Sequence, residues 1–422
     1  MERIREEFGK YRLIFETELQ GNILRYWLDR CYDQTGRRFY GAVDLDGRPV
    51  EGAGISCVLQ SRILWTFSAA SIFYKDPGYA DMAGKSFEAL QKGFSDSQYG
   101  GYYMEINPDN TISSEIKHTY IQAFVIYALC KYYEFNPSAG LLSAIHSLFD
   151  LLENTARDKN NPGYFEAFTR DWKIYGENRM ADNNEPKSMN THLHILEAYA
   201  QLCKIRSDKY LKDRLEAMIR LFLEKIVRPD GHLGIFFDEK FNESRASGGT
   251  CSFGHEIEAS WLLVEAAEIL GNQKILEKVK RVSLQLASLI EREGVDKDGG
   301  LFLESTRYGS HLRTNKHWWL QAESLVGFMN AFQLTGNLEY WSVVKRCWDF
   351  IDNHVIDHRR GEWFTKVNRL GKPFLEETED DPSPYYRNDR KIDPWKCPYH
   401  NGRAMLELIR RIDTMIQNPG LI

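Results

Sequence analysis

No stretch of this sequence approaches the ~20 apolar residues that a membrane-spanning helix needs, so no membrane segment is expected. A basic stripe is missing too. The chain holds 54 Lys and Arg against 60 Asp and Glu, the signs are interspersed, and the net charge is −6. That excludes the electrostatic footprint of a nucleic-acid or anionic-membrane binder. The seven cysteines (Cys31, Cys57, Cys130, Cys203, Cys251, Cys347, Cys397) are odd in number, scattered and never in a CxxC pair. They read as free thiols of a reducing compartment that fill core space. No HExxH and no glycine-rich dinucleotide loop occurs, so neither a metal nor a redox cofactor is expected. Residues 1–11 are charged and no apolar h-region follows, which argues against a secretory leader and for a cytoplasmic protein. The length, 422 residues, by itself favours two or three domains. Yet no Ser/Gly/Pro linker divides the chain, and no alternating stretch is long enough for a major sheet. One catalytic domain over 1–422 is expected.

What the chain has instead is a repeat. A glycine-aromatic element returns at Gly36-Arg37-Arg38-Phe39-Tyr40, Tyr99-Gly100-Gly101-Tyr102-Tyr103 and Asn161-Pro162-Gly163-Tyr164-Phe165. It returns again at Gly231-His232-Leu233-Gly234-Ile235-Phe236-Phe237, Asp298-Gly299-Gly300-Leu301-Phe302 and Arg360-Gly361-Glu362-Trp363-Phe364. An Asp precedes several of them (Asp33, Asp96, Asp158, Asp296, Asp357). Each reads as a tight turn entering a very short strand. The glycines from Gly101 to Gly361 recur every 61 to 71 residues, room for two helices and their loops. Apolar residues at i, i+3, i+4 and i+7 predict those helices over 4–31, 60–73, 79–94, 119–135, 142–155, 191–205, 210–226, 256–270, 273–291, 319–334, 338–353 and 402–416. Twelve helices in six hairpins build an open solenoid or a closed ring, and six is the number that closes an (α/α)6 barrel. The expected class is all-α with short strand elements between helices.

Polar residues gather at the starts of alternate helices: Arg62 in the second; His118 and Tyr120 in the fourth; Asn190, His192, His194 and Glu197 in the sixth. The eighth opens Ser252-Phe253-Gly254-His255-Glu256-Ile257-Glu258, the tenth holds Trp319 and Glu323, and the twelfth His400 and Arg403. In a barrel these ends meet at one mouth, where helix dipoles favour negative charge. A His255–Glu258 pair at i, i+3 shares a helix face, and a carboxylate beside an imidazole makes a general base. One such pair in isolation satisfies itself; its recurrence along the chain argues for chemistry. Arg62 has the ordinary reading of a buried salt-bridge partner. His192 lies off the face of Asn190 and His194 and reads as structural. His192, His194 and Glu197 lack the spacing of a zinc site. Trp319 and Glu323, one turn apart, suit a sugar ring and a hydroxyl.

With these segments assembled, the chain resembles the cellobiose 2-epimerases of the N-acylglucosamine 2-epimerase superfamily over nearly its whole length. The resemblance is carried by Arg62-Ile63-Leu64-Trp65-Thr66-Phe67, by Lys117-His118-Thr119-Tyr120-Ile121-Gln122, by residues 185–199 and 252–263, by His317-Trp318-Trp319-Leu320-Gln321-Ala322-Glu323, and by residues 395–404. It implies an (α/α)6 barrel that epimerises C2 of a reducing-end aldose without metal or redox cofactor. It further implies His255 and His400 as bases flanking C2, with Glu258 as partner of His255. Arg62 would hold the oxygens at C1 and C2. Asn190, His194 and Tyr120 would bind the sugar, with His194 aiding ring opening. Trp319, Glu323 and Trp395 would wall the groove, with Trp261 beneath. The expected partner is a mono- or disaccharide, and the expected state a monomer or weak dimer. Two histidines with basicity near neutrality suit removal and return of a C2 proton better than carboxylates.

The stretch 374–394 departs from this pattern. It is long and acidic (Glu376, Glu377, Glu379, Asp380, Asp381), and Pro394 stands where an aromatic is expected before Trp395. It leads into His400, so free D-mannose stands beside cellobiose as candidate substrate. Competing readings are a mannose–fructose aldose–ketose isomerase, an (α/α)6 glycoside hydrolase using Glu258 and Glu323, and a non-enzymatic helical-repeat binder. If the loop excludes a second sugar sterically, shortening it to a few residues raises kcat/KM for cellobiose relative to D-mannose. An unchanged ratio in a folded variant removes the loop from specificity.

Overall fold

The structure is a computed structural model that describes residues 2–177, 184–245, 247, 249–306, 310–376 and 387–418. Residues 377–386, with Glu377, Glu379, Asp380 and Asp381 of the acidic stretch, lie outside the described residues. Twelve helical runs are present among the rest. Helix α1 is Glu2–Thr17, continued without a break by a π-helical stretch Glu18–Leu24 and by Arg25–Arg30. It is followed by α2 (Cys57–Tyr74), α3 (Pro77–Phe94), α4 (Thr119–Phe135), α5 (Ala139–Thr155) and α6 (Met189–Ile205). Then come α7 (Lys209–Leu221, continued by Phe222–Ile226), α8 (Phe253–Leu270) and α9 (Gln273–Glu293). Last are α10 (Trp318–Thr335), α11 (Leu338–Phe350, continued by Ile351–Val355) and α12 (Tyr399–Gln417). The even helices begin up to three residues before the periodicity predicts, so His255 and His400 fall inside first turns.

The hairpins are set by local chemistry. Asp76, Ser138, Asp208, Asn272 and Asn337 cap the odd helices α3 to α11 by accepting first-turn N–H groups, each such cap contributing about 1 kcal/mol. Gly271 and Gly336 end α8 and α10 in left-handed conformations (φ 75° and 67°), where glycine meets no Cβ clash. The next residue already caps the following helix, so each hairpin turns on two residues.

The even helices pack side by side, α2 on α4 and so on round to α12, which packs on α2. Each odd helix covers its even neighbour from outside, with α1 over α12. The ring is closed: the fold is an (α/α)6 barrel. Burial explains the division of labour. Helices α2, α8 and α10 are buried on nearly every face and carry apolar residues all round, whereas α9 is buried on a single stripe and polar elsewhere.

Two-residue strands bind the turns together. The strand entering each even helix pairs antiparallel with one beyond the next hairpin. Lys117–His118 pairs with Ala167–Phe168, Lys187–Ser188 with Phe236–Phe237, and Lys316–His317 with Lys366–Val367. The last ladder, Arg390–Ile392 against Val43–Asp44, joins the two ends of the ring. The glycine-aromatic elements are the tight turns between them. The fourth residue of each even helix from α2 to α10 clasps a turn by its backbone. Gln122 accepts from Tyr102 N at 2.9 Å and donates to Tyr102 O at 2.8 Å; Gln321 does the same with Leu301 at 2.8 and 2.7 Å. His192 accepts from Tyr164 N at 2.9 Å, which makes it structural as expected. Gly163 (φ 88°) is required beside it, because a Cβ there would lie 2.5 Å from His192 Nε2.

The turn aspartates have a second role that the sequence left unread. Four of the five meet a buried lysine in the strand entering an even helix: Asp96–Lys117 at 3.0 Å, Asp158–Lys187 at 2.7 Å, Asp296–Lys316 at 3.2 Å and Asp357–Lys391 at 2.9 Å. In the fourth repeat the cation is on the turn instead: Arg228 follows the bridge residue Val227, and its Nη2 donates to Cys251 Sγ at 2.9 Å. Burial lowers the Lys187 pKa, opposed by Asp158, while that lysine and two turn amides hold the Asp158 pKa down against its own burial. Asp158→Ala therefore leaves an uncompensated ammonium inside the protein, and a loss of about 3–5 kcal/mol is expected. Chemical denaturation of the variant checks this; a loss under about 1 kcal/mol would mean that water reaches Lys187.

Candidate active site

Because every even helix is entered by a paired strand, six helix N-termini are held at one end of the barrel. Residues from all six touch there. Arg62 Nη2 on α2 donates to the Tyr120 hydroxyl on α4 at 2.7 Å, and its Nη1 reaches Trp395 O at 3.4 Å. The Tyr120 ring lies 5.0 Å from His194 on α6 and 5.9 Å from Trp395. Trp319 on α10 stands against both His255 on α8, at 4.8 Å, and His400 on α12, at 5.7 Å between ring centroids. Asn190, one turn before His194, has a buried Oδ1 with no hydrogen-bond partner among the described residues.

The centre of the cluster is a residue that the sequence reading quoted and left out of the site. Arg403 is fully buried and its guanidinium meets carboxylates from three helices. Nη2 donates to Glu258 Oε1 at 2.8 Å and to Glu323 Oε1 at 2.7 Å, and Nη1 to Glu197 and the Tyr399 hydroxyl. The Tyr399 hydroxyl in turn donates to Glu197 Oε1 at 2.6 Å. Two of the three carboxylates then orient imidazoles: Glu197 Oε2 lies 3.0 Å from His194 Nδ1, and Glu323 Oε1 lies 2.7 Å from His400 Nδ1. Trp261 Nε1 donates to the other oxygen of Glu323 at 3.0 Å. A carboxylate accepts Nδ1–H and leaves Nε2 as the basic nitrogen.

This changes two expected pairings. Glu258 is bound by Arg403, while His255 Nδ1 meets Ser252 Oγ at 2.7 Å. Glu323 is the partner of His400 and is fully buried, so it belongs beneath the groove rather than in its wall. The i, i+3 spacing allowed a His255–Glu258 contact, but the arginine's charge competes for the same carboxylate and wins. The expected near-neutral histidines are also revised. Burial pulls the His255 pKa down to about 3, with His194 adding to it and Glu323 opposing. Burial, then Arg62 and Arg403, pull His400 well below its ordinary value, and burial lowers His194 as well. Burial and the charge of Glu323 push Glu258 well up, and burial pushes Glu323 up against Arg403. Burial also raises Glu197, yet Arg403 and the bonds from His194 and Tyr399 outweigh it and hold that carboxyl at about 2.

Arg62 is the opposite of Arg403. It too is buried, but it forms no ion pair among the described residues, and its guanidinium rests 4.3 Å over the Phe124 ring. The sequence reading of a salt-bridge partner does not hold; a buried cation is left without a counter-charge. Among the described residues, two side-chain groups have the composition of a metal site, Glu258–Glu323–His400 and His232–Cys251–Glu256. In each, an arginine already stands against the would-be ligands: Arg403 in the first and Arg228 in the second. The ligand atoms of Glu258 and Glu323 lie within 4.8 Å of one another on one arginine nitrogen. That leaves no space for the glycosidic bond that a hydrolase places between its carboxyls.

The sequence matches the model of the family N-acylglucosamine 2-epimerase (GlcNAc 2-epimerase) over residues 38–386. The chain belongs to that family. It is 36% identical to the cellobiose 2-epimerase of Bacteroides fragilis, covering 93% of this chain and 97% of that protein. The solved cellobiose 2-epimerase of Bacillus thermoamylovorans B4167 superposes with a TM-score of 0.88 at 33% identity, covering 96% of this chain and all of that one. The D-mannose isomerase of Marinomonas mediterranea is 24% identical over 92% of this chain and 95% of its own length.

Besides Arg403, the sequence reading missed Tyr399 and Ser252, and weighed Glu197 only as a metal ligand. The signal was present: three carboxylates on buried helix faces demand a cation, and Arg403 follows His400 on the same helix. Arg403→Met is expected to destabilise the fold by about 3–5 kcal/mol and to abolish activity. Arg403→Lys keeps the charge without the fork that binds three partners, and activity falls at least ~100-fold by the same argument. Thermal unfolding and turnover of the two variants check this; near-normal turnover in Arg403→Lys would show that charge alone suffices.

Proposed function

We propose that this chain is a sugar 2-epimerase that interconverts gluco- and manno-configured reducing ends by removing and returning the proton at C2. The observation that carries the reading is the buried, unneutralised Arg62 in the same cluster as two imidazoles that flank Trp319. An enediolate formed at C1 and C2 is the anion such a site lacks. At an effective dielectric of 20, opposite charges 4 Å apart attract by about 4 kcal/mol, and that attraction appears only as the charge develops.

In this reading the ring opens with His194 assisting, since C2–H is acidic only beside the free C1 aldehyde. One of His255 and His400 takes the C2 proton on Nε2, and the C–H electron pair passes into the enediolate held by Arg62. The other imidazole, protonated, returns a proton to the opposite face. Both imidazoles gain basicity as the enediolate's negative charge develops beside them. Tyr120, Asn190, Trp319 and Trp395 hold the sugar. The substrate is an aldose with a free reducing end, a cellobiose-type β-1,4 disaccharide or free D-mannose. Protonation of the same enediolate at C1 would give the ketose, the outcome that the name of the Marinomonas relative carries. We propose further that the whole chain, 1–422, acts as one catalytic unit, a monomer or weak dimer of the cytoplasm that uses neither metal nor redox cofactor.

The test is proton NMR in D2O with cellobiose, D-glucose and D-mannose in separate incubations. Loss of the C2 proton signal and appearance of the epimer are expected for one of them. His255→Asn and His400→Asn should each leave the helical fold intact and activity below a few per cent, the usual scale of general acid–base catalysis being about 10²–10⁴-fold. A variant that keeps more loses its place as a base.

A further inference from the structure

Helices α2, α6 and α8 each begin after a serine. Ser56 and Ser188 use it as a cap, their Oγ accepting from Leu59 N and Thr191 N at 3.1 Å. Ser252 occupies the same place with an extended backbone (φ −91°, ψ 97°), yet its side chain caps nothing. Its Oγ is turned to Nδ1 of His255 at 2.7 Å. Serine at this position ordinarily stabilises the helix; this one forgoes that bond for the imidazole. No carboxylate is available to do the same work, because Glu258 is held by Arg403 and Glu323 by Arg403, His400 and Trp261.

Resting on the epimerase reading, we infer that Ser252 is the positioning residue of His255, fixing its ring through Nδ1 and leaving Nε2 for proton transfer. The strand that carries Ser252 makes the hold rigid: Cys251–Ser252 pairs with Glu304–Thr306, opposite Glu304. The chemistry of the partner also differs from that of the second base. A carboxylate such as Glu323 accepts only, and its charge favours an imidazolium. A hydroxyl both accepts and donates. It accepts Nδ1–H while Nε2 is a base and while the ring is an imidazolium, and it donates to Nδ1 in the neutral tautomer whose proton sits on Nε2. The two bases are therefore built differently: His400 is backed by a charge and His255 by a neutral group that follows the ring through each state.

The experiment compares Ser252→Ala and Ser252→Thr with the wild type. In Ser252→Ala, kcat is expected to fall about 10- to 100-fold, the range for loss of an orienting partner, while KM stays within about two-fold. Its melting temperature should not drop, since no cap is lost, whereas Ser56→Ala should melt about 1–2 °C lower, as the loss of a cap predicts for a chain of this length. Ser252→Thr, which keeps the hydroxyl, should restore kcat. Nitrogen-15 NMR of the His255 ring supplies a readout independent of turnover: the Nδ1 resonance shifts in Ser252→Ala and not in Ser252→Thr. Wild-type kcat and ring resonances in Ser252→Ala would overturn the inference, as would failure of threonine to rescue a folded enzyme. If the wild type exchanges no C2 proton on any sugar while the ring resonances behave as expected, the epimerase reading falls and the Ser252–His255 hold stands.

Discussion

Everything in the site depends on one guanidinium. Arg403 gathers Glu197, Glu258 and Glu323 from three helices, and two of those carboxylates fix His194 and His400. Three carboxyls without a counter-ion are not stable in a buried site, and a buried arginine without acceptors is no better. Each side of the arrangement makes the other tolerable. It also explains why the carboxyls titrate apart: Glu197 is held at about 2 while Glu258 is pushed well up, so the cluster does not carry the full negative charge that its composition implies.

The second buried arginine shows what the first is for. Arg62 has aromatic neighbours, a tyrosine hydroxyl and a backbone carbonyl, but no acid among the described residues. One arginine is bound by three carboxylates, and the other, in the proposed reaction, is the charge that meets the enediolate. Trp319 stands against both His255 and His400. Binding energy that appears only when an anion forms is the kind that lowers a barrier.

The scaffold serves this by repetition. Aspartate–lysine latches hold four of the short strands, a Gln, His or Glu at the fourth position of the even helices α2 to α10 clasps a turn, and the turns set where the next even helix begins. Such latches are internal to the repeat, so the helix starts are free to carry unlike residues. Loops bring variety while the ring stays fixed. Burial lowers the pKa of Lys117, Lys187 and Lys391, the last to about 8, and the paired aspartates oppose it.

The sequence by itself determined the architecture. Twelve apolar periodicities, six glycine-aromatic turns and the gathering of polar residues at alternate helix starts are local features, each set by period, cap or turn chemistry. They specified six helical hairpins; closure into a barrel, and the list of Arg62, Tyr120, Asn190, His194, His255, Trp319, Trp395 and His400, rested also on the family resemblance. The partners of those residues were decided by tertiary structure. Glu258 lies three residues from His255 in the chain, but it accepts from Arg403, 145 positions away, and Ser252 took the imidazole. Glu323 is one turn from Trp319 and was read with it, yet ring closure set it against His400. The lysines that latch the turns are distant from their aspartates for the same reason. A spacing along one helix says which groups are able to meet. Which of them do meet depends on the charges that neighbouring helices bring to the same point.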